Sequence, residues 1–218
     1  IDGAPCYPSV ETLPEAVDCA IVLLAAEKVI PTLEALSLRK AKSAIVVSGG
    51  FAEGGKEGRQ LQDRISAIAK QSGMRILGPN TLGAVNFHSR AILSFSTSFE
   101  EGVLPAGPVG FVSQSGALLS SLTDRAADYG MGLSYAAATG NEADLDVSDF
   151  LEFFVQDEQT RIVMGLIESV QNGEKFLLAL ENLRRVKKPV VLLKVGKSKA
   201  GEKTALAHTG ALAGSSRV

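Results

Sequence analysis

Apolar runs alternate with amphipathic segments along most of the chain, a pattern typical of an α/β fold. In the first part, the predicted strands and the helices between them fall at 20–26, 28–39, 44–48, 56–71 and 74–77. Continuous apolar strands with intervening helices indicate a parallel sheet that is covered on both faces. We therefore predict a βαβαβ unit, followed by short β segments at 84–87 and 91–95.

A second series of the same kind follows a segment rich in Glu, Gly and Pro at 98–107, which we interpret as a linker between domains. Its strands and helices are predicted at 109–112, 116–129, 133–138, 147–155, 161–167, 174–186 and 189–195. The chain thus divides into one α/β domain at 1–97 and another at 108–218. No glycine-rich GxGxxG turn and no earlier strand precede the first predicted strand, so the first domain looks incomplete.

Composition narrows the class of function. The chain has 218 residues, of which 45% are hydrophobic and 21% charged, with a formal net charge of −2. This balance argues against a broad surface for nucleic acid or for anionic membranes, although it leaves room for a local basic pocket. Cys6 and Cys19 fit neither a CxxC pair nor a zinc-ligand spacing, and no apolar run reaches membrane-spanning length. We expect a soluble cytoplasmic protein with no metal site of its own.

The stretch 113–117, Ser-Gln-Ser-Gly-Ala, follows a predicted strand and opens a predicted helix. Ser113 or Ser115 can cap that helix, in which Leu118 and Tyr129 belong to a set at helical spacing. The unpaired amides of a helix start at the carboxyl end of a parallel strand favour an anion, most simply a phosphoryl group. The other predicted strands of this domain end in Thr139-Gly140, Glu168-Ser169 and Gly196, which a parallel sheet would gather along the same edge.

The acidic loop 141–146, Asn-Glu-Ala-Asp-Leu-Asp, precedes the predicted helix 147–155. Negative side chains suit a helix N-terminus, so we interpret these carboxylates as solvated capping groups. They are too few to form a metal cage.

His208 lies among small residues, where an imidazole nitrogen can act as a nucleophile toward phosphorus. Two active sites compete for these residues. In one, His208 is phosphorylated, Glu168 orients and polarises the imidazole, and the amides of 113–117 hold the phosphoryl oxygens. In the other, Ser115 is a hydrolase nucleophile with His208 as base and Asp144 or Glu168 as acid. The hydrolase is the weaker hypothesis, because side chains stand where a GxSxG elbow has its two glycines.

Four motifs together resemble a known family. The stretches 78–81 (Gly-Pro-Asn-Thr) and 109–116 (Val-Gly-Phe-Val-Ser-Gln-Ser-Gly), then Glu168, then 208–214 (His-Thr-Gly-Ala-Leu-Ala-Gly) resemble, in order and spacing, the NDP-forming acyl-CoA synthetases related to the succinyl-CoA synthetase α subunit. The likeness covers essentially the whole chain. It implies that the first domain is a partial, Rossmann-like CoA-binding domain. It also implies that the second is a C-terminally truncated, flavodoxin-like domain with a doubly wound parallel sheet.

The resemblance implies an acid–thiol ligase. Such an enzyme converts a carboxylic acid, CoA and ATP into acyl-CoA, ADP and phosphate, through an acyl phosphate and a phosphohistidine. His208 matches the phosphohistidine, and Glu168 matches the carboxylate that supports it. The residues that match the phosphate-binding helix start are Ser113, Gln114, Ser115, Gly116 and Ala117. The residues that fall where family members approach CoA are Ser48, Gly49 and Asn80.

Ser120 stands where succinate-using relatives place a tyrosine, so we expect another small carboxylic acid, with acetate, branched and aromatic acids left open. ATP or ADP with Mg²⁺ would be bound mainly by an ATP-grasp domain or β subunit, which nothing in this chain resembles. We therefore expect the chain to be a fragment without synthetase turnover alone, and the full-length protein to be an oligomer. The alternative is a non-catalytic CoA-sensing module of a protein acyltransferase, against which the retained histidine motif argues.

Overall fold

The computed structural model describes residues 3–99 and 105–195, which form two sheets flanked by helices. The first sheet has the order β1-β2-β3, and both strand pairs are parallel. Its strands and helices are β1 (Cys19–Val22), α1 (Ala26–Leu38), β2 (Ser43–Val46), α2 (Lys56–Ser72) and β3 (Arg75–Leu77). The predicted βαβαβ unit is confirmed.

The second sheet has six strands in the order β5-β4-β7-β6-β8-β9. These are β4 (Gly83–Asn86), β5 (Ala91–Ser94), β6 (Ala106–Ser113), β7 (Leu133–Ala138), β8 (Ile162–Ile167) and β9 (Val190–Lys194). Strands β7, β6, β8 and β9 are parallel to one another, whereas β4 is antiparallel to both β5 and β7. The helices are α3 (Gly116–Asp128), α4 (Val147–Gln156) and α5 (Gly173–Arg185). No helix of the described residues has the length and apolar character needed to cross a bilayer.

The second sheet is covered on both faces. Phe111 and Val112 are neighbours on β6, are 3% and 0% exposed, and belong to different hydrophobic clusters, because successive side chains of a strand point to opposite faces. Phe111 shares its cluster with Leu119 of α3. Val112 shares its cluster with Leu151 of α4 and Leu183 of α5. The predicted doubly wound α/β class is therefore confirmed.

Three strands of the second sheet begin before residue 108, where the second domain was predicted to start. Strands β4 and β5 fall within 1–97, yet β4 hydrogen-bonds to β7 and so joins both to the second sheet. Strand β6 begins at Ala106, inside the predicted linker 98–107. The pairing partner of a short hairpin is set by tertiary contacts, so its apolar pattern does not reveal the sheet to which it belongs. The domain limits themselves stay a prediction.

The buried face of helix α3 overlaps only in part with the one marked by the apolar spacing, of which Leu122 packs against the core. Leu118 and Tyr129 are 41% and 76% exposed, whereas Leu119 and Thr123 are buried. A shift of one residue turns a helical face by about 100°. The helix does end where expected, because Gly130 follows it in a left-handed conformation with φ 66°.

A backbone ladder joins the two sheets. Along the loop 139–146, hereafter the junction loop, alternate N–H groups donate to carbonyls of β3 and of the turn that follows it, at 2.9 to 3.1 Å. The pairs are Asn141 with Pro79, Ala143 with Gly78, and Leu145 with Ile76. Side chains reinforce the ladder: Ser66 Oγ donates to the Ala143 carbonyl at 2.6 Å, and Arg75 pairs with Asp144 at 3.1 Å. The carboxyl ends of both sheets are therefore held close together.

Candidate functional site

The carboxyl ends of three neighbouring strands meet at one edge of the second sheet. Ser113 ends β6, while Thr139 and Glu168 directly follow β7 and β8. All three are buried, with exposures of 0%, 0% and 7%. Ligands of parallel α/β sheets bind at this edge. The structure thus brings together the strand-end residues that the sequence placed there, as far as they lie within the described residues.

The start of α3 exposes amide groups at this edge. Ser115 is the N-cap, and its Oγ accepts a hydrogen bond from the Leu118 N–H at 3.4 Å. Ser113 fixes the turn, because its Oγ accepts from the Ser115 N–H at 3.1 Å and donates to the Ser115 carbonyl at 2.7 Å. The next two amides, of Gly116 and Ala117, occupy helical positions without an intrahelical acceptor. Together with the helix dipole they form a site suited to an anion.

Gln114 connects this helix start to the end of β8. Its Oε1 accepts from the N–H groups of Glu168 at 2.6 Å and Ser169 at 2.9 Å, and its Nε2 donates to the Ser169 carbonyl at 2.9 Å. Lys194 Nζ donates to the Glu168 carbonyl at 2.8 Å. The main chain at Glu168 is therefore fixed relative to the amides of α3.

Ser48, Gly49 and Asn80 lie together at the carboxyl edge of the first sheet. The Asn80 N–H donates to the Ser48 carbonyl at 2.9 Å. A Cβ on Gly49 would lie 3.1 Å from Glu53 Oε1 and 3.6 Å from Asn80 Oδ1. Gly49 is exposed, so its backbone is open to a ligand. The Ser48 hydroxyl instead holds the loop after β1, since it donates to the Leu24 carbonyl and accepts from the Leu24 N–H.

A cavity of about 130 Å³ lies between the two predicted binding regions. Its lining includes Asn80 from the first region and Gln114, Gly116 and Ala117 from the second. The rest of the lining is Val47, Thr81, Leu82, Phe95, Gly140 and Asn141. A molecule in this cavity would contact both the turn after β3 and the start of α3.

Ser120 lies on α3, beyond the two helix-start residues that line this cavity. Its hydroxyl shares a hydrogen bond of 2.6 Å with that of Ser96. Within the described residues, α3 contributes Gly116 and Ala117 to the cavity wall. Contact between Ser120 and a substrate therefore stays a prediction of the sequence.

Glu142 is a residue of this edge that the sequence interpretation missed. We expected the carboxylates of 141–146 to be solvated, which is wrong for Glu142, since it is 7% exposed. Its Oε1 accepts from the Thr139 hydroxyl at 2.9 Å and from the Val147 N–H at 3.0 Å. It therefore binds the first amide of α4, whose N-cap is Asp146 as the capping interpretation expected. Gln171 Nε2 lies 3.3 Å from its carbonyl and 3.5 Å from its Oε2. The sequence did contain one indication that Glu142 belongs to this edge: it follows the end of β7 by a few residues, as Glu168 follows the end of β8.

Replacement of Glu142 by glutamine is expected to flatten the dependence of stability on pH. Burial raises the pKa of Glu142 from 4.5 to about 7. Between these values the unfolded chain loses this proton and the folded chain keeps it. Glu142 should therefore lower the free energy of unfolding of the wild type by roughly 3 kcal/mol as pH rises from about 4.5 to about 7, a contribution that Glu142→Gln lacks.

Urea unfolding of wild type and Glu142→Gln between pH 5 and pH 8 measures this difference. Glu158→Gln, at an exposed position, should keep the slope of the wild type. An equal slope for wild type and Glu142→Gln would contradict the expectation.

A larger groove, of about 540 Å³, lies away from this edge, between β4, β7 and α4. Its lining is mostly apolar and includes Tyr135 and Phe153. Two of its charged residues, Arg75 and Asp149, pair with each other at 3.4 Å. Because it lies on a face of the sheet, we do not assign it to the candidate site.

His208 and the rest of 208–214 lie outside the described residues, as does Gly196. The structure therefore brings Glu168 together with 113–117 and gives no position for the histidine. The roles of all these residues stay predictions.

Comparison with known proteins agrees with the resemblance noted from the motifs. Residues 106–218 match the family described as the succinyl-CoA ligase like flavodoxin domain, and residues 1–86 match a CoA binding domain. The first match includes the segment that contains His208. The order of the two matches is the order of the two predicted domains.

Individual relatives extend over nearly the whole chain. An ADP-forming acetate–CoA ligase I of Archaeoglobus fulgidus is 38% identical over 98% of this chain and 30% of its own length. The α subunit of ADP-forming acetate–CoA ligase I of Pyrococcus furiosus is 38% identical over 97% of this chain and 45% of its own length. A dinucleotide-forming acetyl-coenzyme A synthetase 1 of Ca. Korarchaeum cryptofilum, solved with phosphate and ADP, superposes with a TM-score of 0.87 at 33% identity, over 99% of this chain and 45% of that one. The chain thus spans less than half the length of these relatives.

Proposed function

The chain belongs to the family of succinyl-CoA ligase like flavodoxin domains, and from this premise we propose that it is part of an ADP-forming acyl-CoA synthetase. The complete enzyme would join a small carboxylic acid to CoA at the expense of ATP, releasing ADP and phosphate. This chain would provide the CoA-binding region and the histidine that carries the phosphoryl group. The nucleotide with Mg²⁺ would be bound by an ATP-grasp domain or a β subunit.

One observation carries the proposal. Gln114 ties Glu168 and Ser169 to the start of α3 through three hydrogen bonds of 2.6 to 2.9 Å. A carboxylate that can orient an imidazole and amides that can hold phosphoryl oxygens therefore belong to one rigid unit. This pairing suits phosphoryl transfer through a histidine, because catalysis of that transfer depends mainly on positioning and on stabilising the charge of the oxygens.

The proposed chemistry moves one phosphoryl group through His208. An imidazole nitrogen takes the group from ATP, leaving ADP, and a substrate carboxylate oxygen then takes it from His208 to form an acyl phosphate. The thiolate of CoA attacks the acyl carbon and phosphate leaves. Glu168 would accept a hydrogen bond from the other imidazole nitrogen, and the amides of Gly116 and Ala117 would hold the phosphoryl oxygens in transit.

The residues of the first sheet fit a CoA group. Gly49 is exposed at the carboxyl ends of the strands, and a side chain there would approach the polar atoms of Glu53 and Asn80. Helix α1 begins nearby after Ala25, which makes no side-chain cap, so its first amides suit a phosphate oxygen. CoA would supply the thiol, and the 130 Å³ cavity would admit the reacting end beside Asn80.

Phosphorylation of the complete synthetase by γ-labelled ATP tests the proposal. We expect an acid-labile, base-stable label that is lost in His208→Ala. The matched control is His88→Ala, since His88 is the other of the two histidines and is exposed. Label retained in His208→Ala would contradict the phosphohistidine, and label on Ser115 would indicate a different nucleophile. Absence of label with retained CoA binding would favour the sensing module.

A further inference from the structure

Glu142 and Glu168 face the same narrow cavity. Its volume is about 10 Å³, which is room for about one water molecule at most. The residues that line it are Gln114, Gly140, Asn141, Glu142, Glu168, Ser169 and Gln171. Two buried carboxyl groups that line one cavity repel each other when both are ionised.

The structure holds the Glu142 side chain in this place. Its backbone is left-handed, with φ 58°, an uncommon conformation for a residue with a Cβ. The preceding residue, Asn141, is bound to the first sheet through its main chain and its side chain. The carboxyl receives hydrogen bonds from Thr139, Val147 and Gln171, which are uncharged groups. Burial, the largest effect, raises the pKa of Glu142, and the bonds from Thr139 and Val147 lower it by less.

The charged groups around Glu142 do not compensate an ionised carboxyl. Asp146 lies close enough to raise the pKa of Glu142 further, beyond the effect of burial. Lys175 is paired with Asp146 and Asp149, and Lys194 donates to the carbonyls of residues 168 and 195. On the side of the first sheet, the carboxylate of Glu53 accepts a hydrogen bond from the side-chain amide of Asn141. Among the described residues, the surroundings of Glu142 thus add negative charge and direct the cations elsewhere.

We propose that Glu142 is a positioning residue of the phosphoryl pocket that works in its protonated form, and that its ionisation opposes binding of a phosphoryl dianion beside Glu168. This inference rests on the proposed function. A protonated Glu142 fills the cavity wall as a neutral group, so Glu168 alone supplies negative charge to the imidazole. An ionised Glu142 adds a second buried negative charge next to a ligand that already carries two.

The test uses the complete synthetase with acetyl phosphate as phosphoryl donor and ADP as final acceptor, so that acetate and ATP are released, between pH 6 and pH 8. We expect the KM of the wild type for acetyl phosphate to rise about tenfold more over this range than that of Glu142→Gln, with little change in kcat. The titration of acetyl phosphate itself affects both enzymes equally. The ratio of the two KM values therefore reports only the effect of Glu142 ionisation. Glu174→Gln, at an exposed position on α5, should follow the wild type. A ratio that does not change with pH would overturn the inference.

Two further outcomes separate this inference from the proposed function. A wild type that never acquires label on His208 contradicts the proposed function and this inference with it. A labelled wild type with a pH-independent ratio contradicts this inference alone. If Glu142→Gln fails to fold, a second measurement tests the inference on the wild type. Carboxyl-carbon NMR then follows the titration of Glu142 with and without inorganic phosphate. Phosphate should move that titration to higher pH, and an unmoved titration would overturn the inference.

Discussion

Glu168→Gln in the complete synthetase is expected to slow phosphoryl transfer to and from His208 by about 10²- to 10⁴-fold. The reason is electrostatic: an imidazole that gains or loses a phosphoryl group needs a negative partner, and a neutral amide does not provide one. The framework should survive the exchange. The hydrogen bonds of residue 168 to Gln114 and Lys194 are made by its main chain, which the substitution leaves in place.

Single-turnover labelling of His208, followed by rapid quenching, measures this effect directly. Glu158→Gln is the matched control, because Glu158 is an exposed carboxylate that follows α4, away from the carboxyl ends of the strands. The control should label at the rate of the wild type. A Glu168→Gln enzyme that labels within threefold of the wild type would remove Glu168 from the mechanism.

Gly140→Ala is expected to destabilise the fold by about 2–5 kcal/mol, through strain and overpacking together. Gly140 has φ 61°, and a Cβ there would lie 2.3 Å from the Pro79 carbonyl oxygen and 2.6 Å from that of Asn80. Both obstacles are backbone atoms, so no rotamer change can relieve the clash. The junction loop would have to move away from β3, and the hydrogen bond from Asn141 to Pro79 would be lost.

Gly130→Ala provides the matched control. Gly130 has nearly the same conformation, with φ 66°, but a Cβ there meets nothing within 4 Å. Its substitution should cost only the left-handed conformation, about 1–2 kcal/mol. Urea unfolding of the two variants separates the clash from the conformational cost, and equal losses would contradict the close approach at Gly140.

The sequence was sufficient wherever local chemistry decides the structure. The apolar runs predicted the parallel strands, and the turn at 113–115 predicted a helix start capped by Ser113 or Ser115, of which Ser115 is the cap. The position of Glu168 after a buried strand predicted that it would lie beside that turn, and Gln114 does join the two. These features depend on residues close in sequence or on the general geometry of parallel sheets.

Features that depend on distant contacts could not be predicted in the same way. The hairpin β4-β5 pairs with β7, about 50 residues later, and its own apolar pattern would serve either sheet. Glu142 looked like a solvated cap because nothing near it in sequence shows that Gln171 and the turn after β3 cover it. The Ser48 hydroxyl binds Leu24, a contact that the family resemblance did not indicate.

The ladder between the junction loop and β3 limits how such proteins can be recombined. A chimera could take the first sheet from one relative and the second sheet from another. It would then pair segments of different origin where Asn141, Ala143 and Leu145 contact residues 76–79. Backbone pairing tolerates many sequences, but the parent that supplies the second sheet must keep glycine at 140, where a Cβ would meet the carbonyls of Pro79 and Asn80. If residues 76–79 and the junction loop are taken from the same parent, the contact between them is preserved.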